Sequence, residues 1–125
     1  MDEDNQQLLC QRLRNRVIEV LDLYCSFDDL AKFGAFEAIN MADDFLPVDY
    51  EIAPKVFSQK EKDTVADFVK LLETASDATD LDISNVAGFE SSSEWVQLCQ
   101  AAKQAVLIFS ERGRFSEDFE VILSN

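Results

Sequence analysis

Residues 93–113 of the chain read SEWVQLCQAAKQAVLIFSERG, and this stretch decides the fold class. Its apolar side chains recur at three- and four-residue steps, which is the spacing of one buried stripe on an amphipathic helix. A cap at Ser93, or at Ser91 together with Glu94, can begin this helix, and Gly113 is a suitable stop. The apolar stripe consists of Trp95, Leu98, Cys99, Ala102, Val106 and Phe109. The stretch therefore predicts one long helix with these side chains in the core.

Two helices are predicted before Pro47. The first runs from Asn5 to Tyr24 on a regular apolar stripe. The second begins near a cap at Ser26 and continues to about Leu46, and Gly34 weakens or bends it. Its apolar positions are Leu30, Phe33, Phe36, Ile39, Met41 and Phe45. Pro47 stops this helix, because the residue before a proline is disfavoured in the helical conformation.

The second half of the chain adds a third helix and two less regular segments. Ser58 and Glu61 form a capping box, from which a helix is predicted to run to about Ala75. Residues 76–93 are polar and acidic, and we expect a long, partly packed loop with room for one helical turn. Residues 114–125 fit both helical and strand spacing, and a short fifth helix is favoured.

Together these patterns predict an all-α fold. Three glycines and two prolines are too few for the many tight turns of a β-rich protein. A length of 125 residues, 47% of them hydrophobic, fits one folded domain with its own core. We therefore expect a single domain, residues 1–125, built as a helical bundle or orthogonal array of about four to five helices.

The charge of the chain limits the functions that it can have. It contains 25 acidic residues, 11 basic residues and no histidine, which gives a formal net charge of -14. Without histidine, catalysis by Ser–His or Cys–His pairs is excluded, and the sequence indicates a protein that is not an enzyme. Phosphate contacts need clustered Lys and Arg, so direct binding of nucleic acid is disfavoured. A charge this far from zero is typical of a protein with a basic partner.

No cofactor or metal site is predicted. An EF-hand loop beginning at Asp80 would need glycine at its sixth position and glutamate at its twelfth, where the chain has Asn85 and Ser91. The three cysteines are an odd number at wide spacings, so we expect free, structural thiols in a reducing compartment. The acidic N-terminus and the absence of a long apolar run predict a cytoplasmic protein that does not cross a membrane.

The three arginines at positions 12, 14 and 16 form the only basic run in the chain. Residues at alternate positions spread around a helix and make no basic stripe. We expect these side chains to be solvated and to pair with Glu19 and Asp22.

Two groups of acidic residues in the chain have no basic residue among them. Six of them lie between Leu71 and Leu98, where the chain has no Lys or Arg, and a second group surrounds Pro47. Either two solvated polar loops or a surface that steers and docks a basic protein explains this distribution. The second interpretation makes the partner-binding residues Asp77, Asp80, Asp82, Glu90, Asp43, Asp44, Asp49 and Glu51. The apolar anchors expected beside these acids are Phe45, Tyr50, Phe57, Leu81 and Phe89.

A small, acidic, mainly helical chain without catalytic residues resembles the immunity proteins of bacterial contact-dependent growth inhibition and related polymorphic toxin systems. The opening helix from Gln11 to Tyr24, the turn Phe45-Leu46-Pro47 and the helix around Trp95–Ala102 also resemble those of a group of small bacterial proteins. The resemblance implies a cytoplasmic antidote that binds a basic toxin domain, often a nuclease, as a monomer in a one-to-one complex. No site residue is implied by it.

Two other classes of function remain open at this point. A nucleic-acid mimic that inhibits a DNA- or RNA-binding protein would spread its carboxylates over a long surface. An enzyme that uses carboxylates and a divalent metal would be stabilised by the metal and by no partner.

Overall fold

The computed structural model describes residues 3–46, 50–53, 55–78 and 82–123. All regular secondary structure in these residues is helical, which confirms the all-α prediction. Six α-helices are present there instead of four to five, and none of them is long and apolar enough to cross a membrane. Their bounds are α1 Glu3–Tyr24, α2 Phe27–Ala31, α3 Ala35–Asp43, α4 Gln59–Ala78, α5 Val86–Ser91 and α6 Ser93–Ser110, with a 3-10 turn at Tyr50–Ile52.

The stretch that decided the fold class forms α6, the central helix, which packs against both α4 and α1. Trp95 is completely buried, as its place on the stripe predicted. Its ring stacks on Tyr24 of α1 with 5.7 Å between centroids and meets Phe89 of α5 edge-on at 4.9 Å. Phe68 of α4 packs edge-on against Tyr24 at 5.1 Å. An aromatic cluster therefore joins four helices.

The predicted second helix is two helices, α2 and α3, and the break is at Gly34. This glycine has a φ of 85°, a left-handed conformation that side chains disfavour. Its N–H donates to the carbonyl of Leu30 at 2.8 Å and ends α2, while its own carbonyl accepts from Ala38 in α3. The N–H of Ala35 donates to the carbonyl of Ile83 at 2.8 Å, which ties this corner to the segment before α5.

The sequence predicted the cap of α4 correctly, but it did not predict the residues that cap α5 and α6. Ser58 and Glu61 form the expected capping box, with hydrogen bonds of 2.9 and 3.2 Å. The cap predicted for α6, at Ser93 or at Ser91 with Glu94, is wrong: the cap is Ser92, whose hydroxyl accepts from the N–H of Trp95. The predicted loop contains α5, because the side chain of Asn85 accepts from the N–H of Gly88 at 2.7 Å and begins a short helix.

The predicted fifth helix is wrong for residues 114–123, which have no regular secondary structure. Side chains of α1 satisfy the backbone of this C-terminal segment. Gln11 donates to the carbonyls of Ser116 and Phe119 at 2.8 and 2.9 Å. Asn15 donates to the carbonyl of Phe115 at 2.8 Å and accepts from its N–H at 3.1 Å. These bonds replace the ones that a helix would have formed within the segment.

Candidate partner-binding site

All five arginines of the chain bind groups on α1, α4 or the residues from Gly113 onward, and we call this side of the molecule the arginine face. Its centre is Glu61, which is 1% exposed. Arg14 and Arg112 each place a guanidinium nitrogen 2.7 Å from one of its carboxylate oxygens. The prediction that Arg14 is solvated is wrong, since its side chain is completely buried against the ring of Phe115. Its carboxylate partner, Glu61, lies 47 residues away in the chain, and a helical pattern does not reveal a contact over that separation.

The remaining arginines of this face hold the C-terminal segment. Arg16 pairs with Glu117 and, as predicted, with Glu19 at 3.1 Å. Arg114 lies 2.8 Å from the same carboxylate of Glu19. Arg12 donates to the carbonyl of Glu117 at 2.9 Å. The arginines therefore neutralise acids on their own side of the molecule.

Glu61 remains ionised in this setting. Burial raises the pKa of its carboxyl group, but hydrogen bonds from the two arginines and from the Ser58 backbone outweigh that effect. The net result is a pKa below the ordinary value for glutamate. The centre of the arginine face is thus an internally compensated charge network, in which Glu61 and Arg14 are buried and Arg112 is partly exposed.

A different arrangement occurs between α3 and α4, where a depression of about 340 Å³ has an apolar floor and an acidic rim. We call it the acidic cleft. The described residues that line it include no Lys or Arg. Asp43 and Asp77 come from the two separate acidic groups of the sequence, and the fold brings them to one depression. The lining consists of Ile39, Leu46, Val69, Leu72, Asp43, Glu73, Ser76 and Asp77.

The ends of two helices strengthen the negative potential of the cleft. α3 ends at Asp43 and α4 ends one residue after Asp77, and neither helix has a basic residue in its last turn. The C-terminus of a helix carries a partial negative charge, which favours cations. Burial, followed by the charge of Asp43, raises the pKa of Tyr24 in the core. The two helix ends therefore add partial negative charge beside the carboxylates of the acidic cleft.

The other predicted site residues lie elsewhere. Asp44 is exposed at the end of α3 beside the cleft, Glu51 is exposed in the 3-10 turn and Glu90 is exposed on α5. Asp82 is exposed near the beginning of α3, at the opposite end of that helix from the cleft. The two remaining predicted residues, Asp49 and Asp80, lie outside the described residues.

Glu73 was missed as a site residue, although the sequence contained a signal for it. It precedes Asp77 by four positions and follows Val69 by four, so these three residues share one face of α4. The helix had been expected to end near Ala75, which placed Asp77 in a loop and hid this relation.

The expected apolar anchors are corrected by the structure. Phe57 and Phe89 are buried in the core and cannot anchor a partner. Phe45 and Tyr50 are half-buried, and Leu81 lies outside the described residues. Two aromatic side chains at the beginning of α3, away from the cleft, are exposed instead: Phe33 at 48% and Phe36 at 59%. Both had been assigned to the buried stripe of a continuous helix, and the break at Gly34 removes them from it.

The chemistry available elsewhere is limited. Cys10, Cys25 and Cys99 form no disulfide, and burial, followed by the charge of Asp22, raises the pKa of Cys25 to about 11. Within the described part of the chain, no three His, Cys, Asp or Glu side chains are placed to hold a metal ion.

Searches of protein-family models, curated proteins and solved structures gave no match to this chain.

Proposed function

We propose that this protein is an immunity protein, which binds a basic toxin domain through the acidic cleft and thereby neutralises it. The observation that carries the proposal is the meeting of two acidic groups, remote in sequence, over an apolar floor without a basic lining residue. The arginines that could have neutralised these acids bind carboxylates and carbonyls of the arginine face instead.

The cleft fits the side chains that a cationic protein presents. Lys and Arg carry an aliphatic stem that packs on apolar surface and a charged end that stays near polar groups. Here the stem would lie on Val69 and Leu72, and the cation would reach Asp43 or Asp77. A toxin that cleaves nucleic acid needs a basic groove to attract phosphate, and an acidic surface competes for that groove.

The local concentration of charge favours this function over nucleic-acid mimicry. A mimic needs carboxylates spaced along an extended surface, whereas Asp43, Glu73 and Asp77 converge on one depression. The aliphatic floor likewise favours a side chain with an apolar stem over a hydrated metal ion, which prefers oxygen ligands on all sides.

The proposal predicts that a gene beside the one for this chain encodes a toxin, and the test is binding to that toxin domain. We expect Asp43→Asn/Asp77→Asn to weaken the complex by about tenfold or more, with much of the change in the association rate. The matched control is Asp22→Asn/Asp28→Asn, which removes two exposed carboxylates away from the cleft and leaves the affinity within about twofold.

Surface plasmon resonance at several salt concentrations measures both rates, and melting curves establish that each variant is folded. Added salt should slow association of the unmodified protein more than it speeds dissociation, because screening acts on long-range attraction. Unchanged affinity and an unchanged association rate in the folded cleft variant would remove the cleft from the interface.

A further inference from the structure

A second depression continues the acidic cleft along α4. It has a volume of about 230 Å³ and shares Val69 and Glu73 with the cleft. The residues that line only this second depression are Tyr50, Lys62, Val65, Ala66 and Lys70. We call the two depressions together the α4 groove.

The floor of the α4 groove follows one stripe of a helix. Five of the nine α4 residues that line it are separated by steps of four, three, four and three, which is the spacing of a seam between two packed helices. The stripe consists of Lys62, Ala66, Val69, Glu73 and Ser76. At 1.5 Å per residue it is about 21 Å long. Two of its members are small, which leaves room for the side chains of a neighbouring helix.

Charge divides the groove into two ends. Lys62 and Lys70 line the second depression, Lys62 near the beginning of α4 and Lys70 just past its middle, and the ammonium group of Lys62 is 5.5 Å from the centre of the Tyr50 ring. The other half contains Asp43 and Asp77. A ligand of uniform positive charge would be repelled at the first end and attracted at the second.

We propose that the α4 groove receives an amphipathic helix of the partner, with the basic end of that helix in the acidic cleft and its other, acidic or polar, end beside Lys62 and Lys70. This inference rests on the proposed function and specifies the partner element at the same site. A helix is favoured because helical lining residues offer side-chain holes and no strand edge for backbone pairing. About 14 residues of helix would span the groove.

Two pairs of variants test the orientation and the seat, each measured against the same toxin domain. Lys62→Glu/Lys70→Glu adds negative charge inside the groove, and Lys60→Glu/Lys103→Glu adds the same charge at exposed positions outside its lining. We expect the first pair to weaken binding by about tenfold and the second to leave it unchanged or tighter. Ala66→Trp fills the groove and should weaken binding by a similar factor, whereas Ala87→Trp, on the exposed side of α5, should not.

The results separate this inference from the proposed function. If Asp43→Asn/Asp77→Asn weakens the complex while Lys62→Glu/Lys70→Glu tightens it and Ala66→Trp has no effect, the acidic cleft binds the partner but the helix seat is wrong. If none of these variants changes binding, both proposals fail.

The kind of element is tested by photo-cross-linking. p-Benzoylphenylalanine in place of Lys70, an exposed residue that lines the second depression, captures the partner segment that lies in the groove. Capture of a helical segment of the toxin domain supports the inference, and capture of a strand or an irregular loop overturns it.

Discussion

The arginine face and the acidic cleft are built from the same kinds of charge and use them in opposite ways. On the arginine face, Glu61 lies between two arginines and is almost fully buried. At the acidic cleft, three carboxylates surround aliphatic side chains, and the described lining contains no cation. The net charge of -14 is therefore distributed unevenly. On the arginine face the cations bind carboxylates of the same chain, whereas the described lining of the acidic cleft contains carboxylates and no cation.

The largest expected effect is on the arginine face. Glu61→Ala leaves two guanidinium groups, one of them completely buried, without their carboxylate. Breaking a buried ion pair by removing one partner destabilises a protein by about 3–5 kcal/mol. Urea denaturation measures the free energy of unfolding, and Glu73→Ala in the cleft is the matched control, expected to change it by less than about 0.5 kcal/mol.

The stability that Glu61 contributes depends on pH. Because the pKa of Glu61 is lowered in the folded protein, its contribution is fully present above the ordinary glutamate pKa and is lost as the pH falls through the lowered value. Stability of the unmodified protein should therefore decline on acidification more steeply than that of Glu61→Gln. If the free energy of unfolding falls equally steeply with pH in the two proteins, the ionised carboxylate of Glu61 does not stabilise the arginine face.

The two sides also differ in how far the sequence predicts them. The capping box of Ser58 and Glu61 was readable because its partners are three residues apart, and the helix it begins was found. The burial of Glu61 with Arg14 depends on a contact across 47 residues, which no local period encodes. At the cleft, the sequence identified Asp43 and Asp77 as acids in unbalanced stretches. Their convergence depends on how α3 and α4 pack.

The C-terminal segment is a second place where contacts between residues far apart in the sequence decide the structure. Phe115, Phe119 and Ile122 have helical spacing, but that period is weak in a segment this short. Gln11 and Asn15 decide its conformation from about 100 residues away, by binding its backbone directly. Amide side chains on a helix are ordinarily assigned to its solvated face, so their buried role had no sequence signal.

An intermediate effect is therefore expected from Asn15→Ala. The substitution removes the donor to the carbonyl of Phe115 and the acceptor for its N–H, and it leaves these backbone groups without their partner. A buried polar group that loses its hydrogen bond destabilises the fold by about 1–3 kcal/mol. Urea denaturation measures the loss, and hydrogen exchange should show residues 114–123 less protected.

Asn40→Ala is the control for that variant, since Asn40 is exposed on α3 and a surface substitution is expected to change stability by less than about 0.5 kcal/mol. If Asn15→Ala unfolds at the same urea concentration as the unmodified protein and keeps the segment protected, the amide contacts of α1 do not fix the C-terminal segment. The arginine face would then depend on its ion pairs alone.

The smallest expected effect has the opposite sign and lies at the acidic cleft. Asp43 and Asp77 stand at the C-terminal ends of α3 and α4, where negative charge is unfavourable. Asp43→Asn and Asp77→Asn should each stabilise the isolated protein, by about 0.3–1 kcal/mol at low ionic strength. The gain should shrink in about 1 M salt, where charges are screened beyond about 3 Å.

Glu94→Gln is the matched control for these two substitutions, because it removes the same charge from the first turn of α6, where a carboxylate is favourable. It should destabilise the protein by a similar amount. If instead the cleft substitutions lower stability, Asp43 and Asp77 are already stabilised within the chain, and the contrast between the two sides disappears. If these carboxylates destabilise the isolated protein and stabilise the complex, the substitutions should increase the stability of the protein and weaken its binding to the partner.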